Sequence, residues 1–355
     1  MINLTRGIPP VEAFPIEDLI HAAETILLQD GRRLLQYANA PGYAPLRELL
    51  AQRENTTPEH IFMGNSSLEL LQFVSMTELR PGVRVFVEEP TYDRAVTLLR
   101  RAGADVVGIP MELDGVNLVQ FEAELKKGAP ALFYVIADFQ NPMGTVTSAV
   151  KRKQLAQWAQ QYGFWIVEDA PYRPLRYRGE PVPTIQSFAP DRVIKMTSVS
   201  KILAPGVRMG YLVGPADVIT RVTRWVTDTY IGPVSISQGM IYQYLKAGLL
   251  DENIRRLCDL YRPRLDAALA GLERNIPQAV YPRPEGGFFI GITLPEGNHM
   301  TDLVEKAKNA GILITDGRGF YTRAEDGERF LRLPFCSLSP AEIDEALARL
   351  APLLV

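Results

Sequence analysis

Between about residues 60 and 215, short runs of β-branched and aromatic side chains alternate with stretches of helical period, and few folds accept that alternation. It is the pattern of a mostly parallel sheet whose strands are joined by crossover helices, an α/β architecture. The strands predicted are Val83–Val87, Ala104–Ile109, Ala131–Ile136, Phe164–Val167, Val193–Met196 and Met209–Val213. Leu155, Trp158, Ala159 and Tyr162 recur at helical spacing, so one face of that crossover can pack on the sheet. Beyond about residue 250 the texture changes to a long charged helix, predicted over Asp251–Arg274, then a Pro/Gly-rich connection and a final amphipathic helix over Pro340–Leu350. With 355 residues, 46% of them hydrophobic, the chain is large enough for two domains. The expected division is a large domain over 35–250 and a smaller α+β domain made of 1–34 and 251–355.

In an open parallel sheet, chemistry collects where strand carboxyl ends meet the switch-point crevice. Three successive predicted strands end in polar clusters there. Ala131–Ile136 is followed by Asp138-Phe139-Gln140-Asn141-Pro142-Met143-Gly144, Phe164–Val167 by Glu168-Asp169, and Val193–Met196 by Thr197-Ser198-Val199-Ser200-Lys201.

Other function classes find little support. Thirty-eight basic residues against 41 acidic ones give a net charge of −3, which is no footprint for nucleic acid or an anionic membrane. The two cysteines, Cys258 and Cys336, match neither a zinc spacing nor a disulfide framework, and no metal is expected. The amino terminus lacks a basic segment followed by an apolar run, and no stretch reaches the ~20 apolar residues of a spanning helix, so a cytoplasmic protein is expected.

The strongest local signal is Ser198-x-Ser200-Lys201-x6-Arg208-x-Gly210. Hydroxyls and a guanidinium beside one lysine suit a phosphate, because arginine binds the dianion bidentately and hydroxyls donate to its oxygens. The lysine is then free for imine formation, which needs the neutral amine that a cationic or desolvated surround favours. The run Ser198-Val199-Ser200-Lys201-Ile202-Leu203-Ala204-Pro205-Gly206-Val207-Arg208-Met209-Gly210-Tyr211 resembles the cofactor-lysine motif of the pyridoxal 5'-phosphate (PLP) dependent class I/II aminotransferases, the aspartate aminotransferase fold or fold type I. The seven-residue spacing from lysine to arginine through Leu-Ala-Pro-Gly is most similar to the 2-aminoadipate and aromatic aminotransferase subgroup.

The resemblance implies roles residue by residue. Lys201 would carry the cofactor as a Schiff base and serve as general base and acid. Asp169, in Val167-Glu168-Asp169-Ala170-Pro171-Tyr172, would pair with the ring nitrogen and keep it protonated, while Tyr172 and Asn141 would meet the phenolic oxygen. Tyr92, in Glu89-Pro90-Thr91-Tyr92, would stack on the ring. Asn65, Ser66 and Ser67, at the start of the apolar helix Leu68–Met76, would join Ser198, Ser200 and Arg208 around the phosphate. Arg332, in Phe330-Leu331-Arg332-Leu333-Pro334, would clamp the substrate α-carboxylate, and an arginine alternating with apolar residues is costly without an anion. Tyr37 would reach across a homodimer to the neighbour's phosphate.

The sequence departs from the family pattern in places. The segment before Tyr37 is short, Ala137 stands where proline is usual, Asn65-Ser66-Ser67 replaces a glutamine-containing turn, and Pro334 replaces a common asparagine. None removes a charge that the cofactor needs. The expected activity is amino transfer from an amino acid to a 2-oxo acid. The alternatives are elimination, cyclisation or decarboxylation at the same site, and a non-catalytic PLP-binding sensor like the aminotransferase-like halves of winged-helix regulators. Phe288, Phe289 and Tyr43 hint at an apolar pocket, whereas Arg6 would face either an acidic substrate or solvent.

Overall fold

A computed structural model describes residues 1–354 of the chain. The strands are β1 (Ile2–Leu4), β2 (Ile61–Gly64), β3 (Arg84–Glu89), β4 (Asp105–Glu112), β5 (Gly115–Val116), β6 (Leu132–Val135), β7 (Trp165–Asp169), β8 (Val193–Ser198), β9 (Gly210–Val213), β10 (Phe289–Thr293), β11 (Ile312–Ile314) and β12 (Phe330–Pro334). The helices are α1 (Ile16–Leu34), α2 (Ala44–Arg53), α3 (Ser67–Glu78), α4 (Asp93–Arg101), α5 (Leu118–Lys127), α6 (Ala149–Tyr162), α7 (Ala216–Thr229), α8 (Ser235–Lys246), α9 (Leu249–Asn275), α10 (Met300–Asn309) and α11 (Pro340–Leu350).

Eight strands form one sheet in the order β2-β9-β8-β7-β6-β3-β4-β5. Its centre, β8 to β4, is parallel, as the strand–helix alternation requires, and β9 and β5 run antiparallel at the two sides. All six strands read from the sequence lie in it, together with β2, which the sequence pattern does not announce. Successive side chains of a strand face opposite ways. Leu132 and Tyr134 of β6 thus join the core on one face of the sheet with Val85 and Val87, while Phe133 and Val135 pack on the other with Phe86, Phe121 and Leu155. Helices on both faces close these two layers, and the strand ends carry the polar turns.

The remaining elements build around two small sheets. β10 and β12 pair antiparallel, with Gly291 opposite Arg332, and β1 pairs parallel with β11, Ile2 opposite Ile312. α9 runs further at each end than expected and keeps Pro263 within it; α11 packs along it, started by a capping box between Ser339 and Glu342. α1 lies against α8. No helix among the described residues is long and apolar enough to cross a membrane.

Candidate active site

The polar turns open into a cavity of about 480 Å³ lined by, among others, Ser66, Ser67, Tyr92, Asn141, Asp169, Tyr172, Ser198, Ser200, Lys201, Arg208 and Arg332. Its floor is the end of the parallel sheet, and β7 delivers Asp169. One carboxylate oxygen of that residue, Oδ2, accepts a 2.7 Å hydrogen bond from the Tyr134 hydroxyl, whereas Oδ1 is buried with no partner among the described residues. Burial raises the Asp169 carboxyl to about 7, against the lowering effect of Tyr134.

From the end of β8 the chain turns through Ser198 and Ser200 to Lys201. Ser198 Oγ lies 2.8 Å from Ser200 Oγ and accepts the Ser200 N–H at 3.1 Å, so the two hydroxyls face one spot. Glycine is needed at 210, opposite Ser198, because a Cβ there would stand 2.7 Å from the Thr197 carbonyl oxygen. Arg208 is exposed at the rim in a left-handed conformation, φ 52°, and aims its guanidinium at nothing stronger than a 3.4 Å contact with the Pro205 carbonyl. Across from this arc, Ser66 caps α3 by accepting the Glu69 N–H, which sets the start of the helix on the cavity wall.

The Lys201 amine stands 5.9 Å from the Tyr172 ring centre and 5.7 Å from that of Phe288, and donates to the Gly7 carbonyl at 3.0 Å. Desolvation there pushes the amine below the ordinary lysine range, and the nearby Arg332 charge adds to the effect. Burial likewise pushes the Tyr172 phenol well above its ordinary range. The Arg332 guanidinium lies between the rings of Phe289 and Phe320, 4.7 and 4.6 Å from their centres. It donates to Asn141 Oδ1 at 3.0 Å and to the Thr5 carbonyl at 2.8 Å, while its buried Nε–H has no partner among the described residues. Two rings fix its plane, so its free edge presents an oriented fork to an incoming carboxylate.

Two of the predicted residues stand outside this cavity. Asn65 turns away, its amide donating to Glu69 at 3.0 Å and accepting from the Val234 N–H at 3.1 Å. Its polar side chain holds the turn together rather than facing the pocket. Tyr37 is 80% exposed and lines a separate cleft between the end of α1 and the connection from α7 to α8. The apolar-pocket hint also changes: Tyr43 is buried elsewhere, bonded to Asp30, and Phe288 and Phe289 pack behind Tyr172. Several contributors carry no sequence signal. Tyr134 reads as an ordinary strand aromatic, and the Thr5 and Gly7 carbonyls belong to backbone that any sequence possesses.

A deeper network fixes the Asn141 turn. Arg152, wholly buried on α6, grips Asp138 with two hydrogen bonds of 2.9 and 3.2 Å and also donates to the carbonyls of Ala137 and Thr147 at 2.8 Å. Asp138 is pulled below the usual carboxylate range by Arg152 and Arg173 in spite of its burial. Beneath the turn, Gln140 donates at 3.1 Å to the buried Glu88, whose carboxyl is raised to about 8 by desolvation.

The profile of the family described as aminotransferase class I and II matches residues 1–350 of this sequence. The chain belongs to the class I and II aminotransferases. It is 34% identical to aromatic-amino-acid aminotransferase 1 of Thermococcus litoralis, across 99% of this chain and 87% of that protein. The multiple substrate aminotransferase of Thermococcus profundus superposes with a TM-score of 0.95 at 32% identity, covering 99% of this chain and 91% of that one. An alpha-aminoadipate aminotransferase from Thermus thermophilus, solved in complex with N-(5'-phosphopyridoxyl)-L-leucine, does so with a TM-score of 0.92 at 31% identity, over 99% and 91% of the two chains. The architecture of this aminotransferase is therefore fold type I, and transamination is favoured over the lyase and sensor readings.

The residues present fit the cofactor that this class uses. A carboxylate oxygen buried with no partner among the described residues, a lysine amine whose burial favours neutrality and paired hydroxyls beside a guanidinium with only one long contact all face one cavity.

Proposed function

We propose that this aminotransferase holds PLP through Lys201 and moves an amino group from an amino acid to a 2-oxo acid. The observation that carries the proposal is Asp169 Oδ1: an acceptor buried at the cavity floor with no partner among the described residues is costly unless a cationic donor meets it, and a protonated ring nitrogen is such a donor. Tyr172 and Asn141 would hold the phenolic oxygen, and Asn141 keeps its NH2 for that purpose because Oδ1 already accepts from Arg332. Tyr92 would cover one face. Ser66, Ser67, Ser198, Ser200 and Arg208 would hold the phosphate. Bound there, the cofactor supplies an electron-accepting ring conjugated to the carbon that loses its proton.

The protein's own groups do the rest. Arg332 fixes the α-carboxylate in the plane set by Phe289 and Phe320, and so orients the substrate Cα–H bond. Lys201 Nζ, whose desolvation favours the neutral amine, takes the Cα proton as base and returns it as acid. Tyr172 and Phe320 line the cavity beside it.

The same reading includes a homodimer. Tyr37 lines its cleft with Leu35, Tyr230, Ile231, Val234 and Ile236, all at least 41% exposed, an apolar patch of the kind that marks a protein interface. A second copy docked there would bring its Tyr37 to the phosphate end of the neighbouring cavity.

The test is direct. Purified protein supplied with PLP is mixed with a panel of amino acids and a 2-oxo acid, products are identified, and borohydride-reduced protein is mapped by mass spectrometry. The cofactor mass is expected on Lys201, and Lys201→Ala is expected to lose both that mass and turnover while melting at the same temperature. Cofactor mass on another lysine, or an active alanine variant, overturns the assignment.

A further inference from the structure

Residues Thr5–Ile8 run as a strap along the cavity mouth, between β1 and the first turn of 3-10 helix at Val11. The Thr5 carbonyl accepts from Arg332 and the Gly7 carbonyl from Lys201, so the residue between them is bracketed by the two groups that would hold a substrate's carboxylate and amino ends. That residue is Arg6. Consecutive Cα atoms stand only about 3.8 Å apart, so the strap places one side chain beside the point where those two ends diverge.

The charges lining the cavity are Arg6, Arg94, Lys201, Arg208 and Arg332 against Asp93 and Asp169. On the reading proposed above, Lys201, Asp169 and Arg208 serve the cofactor and Arg332 the α-carboxylate. Arg6, Arg94 and Asp93 remain, a surplus of one positive charge. The exposed Arg6 guanidinium has no hydrogen bond or ion pair among the described residues. Arg94 also borders the neighbouring cleft between α3 and α4, which leaves Arg6 as the cation committed to the mouth by its backbone.

We propose that Arg6 is a specificity-determining residue that pairs with a carboxylate at the far end of the substrate side chain, so that the favoured substrates are dicarboxylic amino acids and their 2-oxo acids. A guanidinium binds a carboxylate bidentately. The strap is anchored on both sides of Arg6, so little backbone freedom is lost when the pair forms. Because the pair lies at a wet rim, its contribution is modest, on the order of severalfold in affinity, and it weakens with salt.

This inference rests on the transamination reading, and the experiment separates the two. PLP-loaded protein is titrated calorimetrically with glutarate and valerate, unreactive five-carbon acids that differ in the second carboxylate, and oxo-acid formation from amino acids is followed in parallel. Glutarate is expected to bind more tightly than valerate. Arg6→Gln is expected to shrink that ratio severalfold, Arg6→Lys to retain part of it, and all three proteins to melt alike. An unchanged ratio in Arg6→Gln, or a wild-type protein that does not prefer glutarate, overturns the role of Arg6. A glutarate preference that follows Arg6 without oxo-acid formation supports it while overturning transamination.

Discussion

Tyr134 and Asp169 form the pair on which ring-nitrogen recognition turns. The phenol donates to one carboxylate oxygen and leaves the other without a partner among the described residues, so on the proposed reading Tyr134 would act as a positioning residue. Tyr134→Phe removes the hydrogen bond that lowers the Asp169 carboxyl and strands Oδ2, at a cost of about 1–3 kcal/mol. Weaker PLP binding and an Asp169-linked limb of the kcat profile displaced to higher pH are expected, measured by fluorescence titration and steady-state kinetics; an unshifted profile would show that the hydroxyl only packs. Asp169→Ala is expected to slow proton abstraction by orders of magnitude while the imine still forms. Burial also gives the protein without PLP a pH signature. Asp169 rises from 3.8 to about 7 and Glu88 from 4.5 to about 8, so both bind their protons more tightly folded than unfolded. Their contribution to stability is full below the ordinary carboxylate range and is lost as pH climbs through about 7 to 8. The melting temperature of protein stripped of PLP should therefore fall between pH 6 and 8.5, and Glu88→Gln should flatten the fall. Lys201 and Asp169 draw attention in the sequence because each closes a strand in a polar cluster, and Arg332 because it is a charge set among apolar neighbours. Tyr134 does not, since its hydroxyl matters only through a strand beside it in space.

At the scale of elements, the turn after β6 and the strap from β1 set the geometry. Arg152 ties that turn to α6 entirely through buried contacts, and removing one partner of such a pair leaves a charge without compensation. Arg152→Leu is expected to destabilise the fold by about 3–5 kcal/mol in urea titration; a loss under about 1 kcal/mol would mean that the network relaxes around the gap. In the strap, a Cβ on Gly7 would stand 2.3 Å from the Phe289 ring. Gly7→Ala should lift the strap off that ring and weaken dicarboxylate binding, read by glutarate calorimetry, with the melting temperature little changed. The parallel strands were readable because each is a hydrophobic run bounded by turn residues. β2, with only Ile-Phe-Met-Gly and all four residues buried, has no alternation to announce it. Arg6 of the strap was named in the sequence, but the anchoring of the strap was not legible because it comes from the Thr5 and Gly7 carbonyl oxygens.

For the whole molecule, the apolar cleft at Tyr37 carries the prediction. Ile236→Glu, which places a charge in that patch, is expected to shift the protein from dimer to monomer in light scattering and to loosen PLP retention together with it. A wild-type protein that is monomeric at micromolar concentration would remove the second copy from the proposal. The helix at Pro340–Leu350 came from a change in sequence texture; the pairing of β1 with β11 did not, because period and composition say nothing about partners hundreds of residues apart. That pairing has its own outcome. Thr5 and Thr315, 310 positions apart, bond through a carbonyl and a hydroxyl, and β11 is the only strand that pairs with β1 among the described residues. Because synthesis runs from amino to carboxyl end, β1 must stay undocked on a ribosome until β11, some 310 positions later, has been made, and the pocket bordered by Thr5–Ile8 matures only after that late pairing.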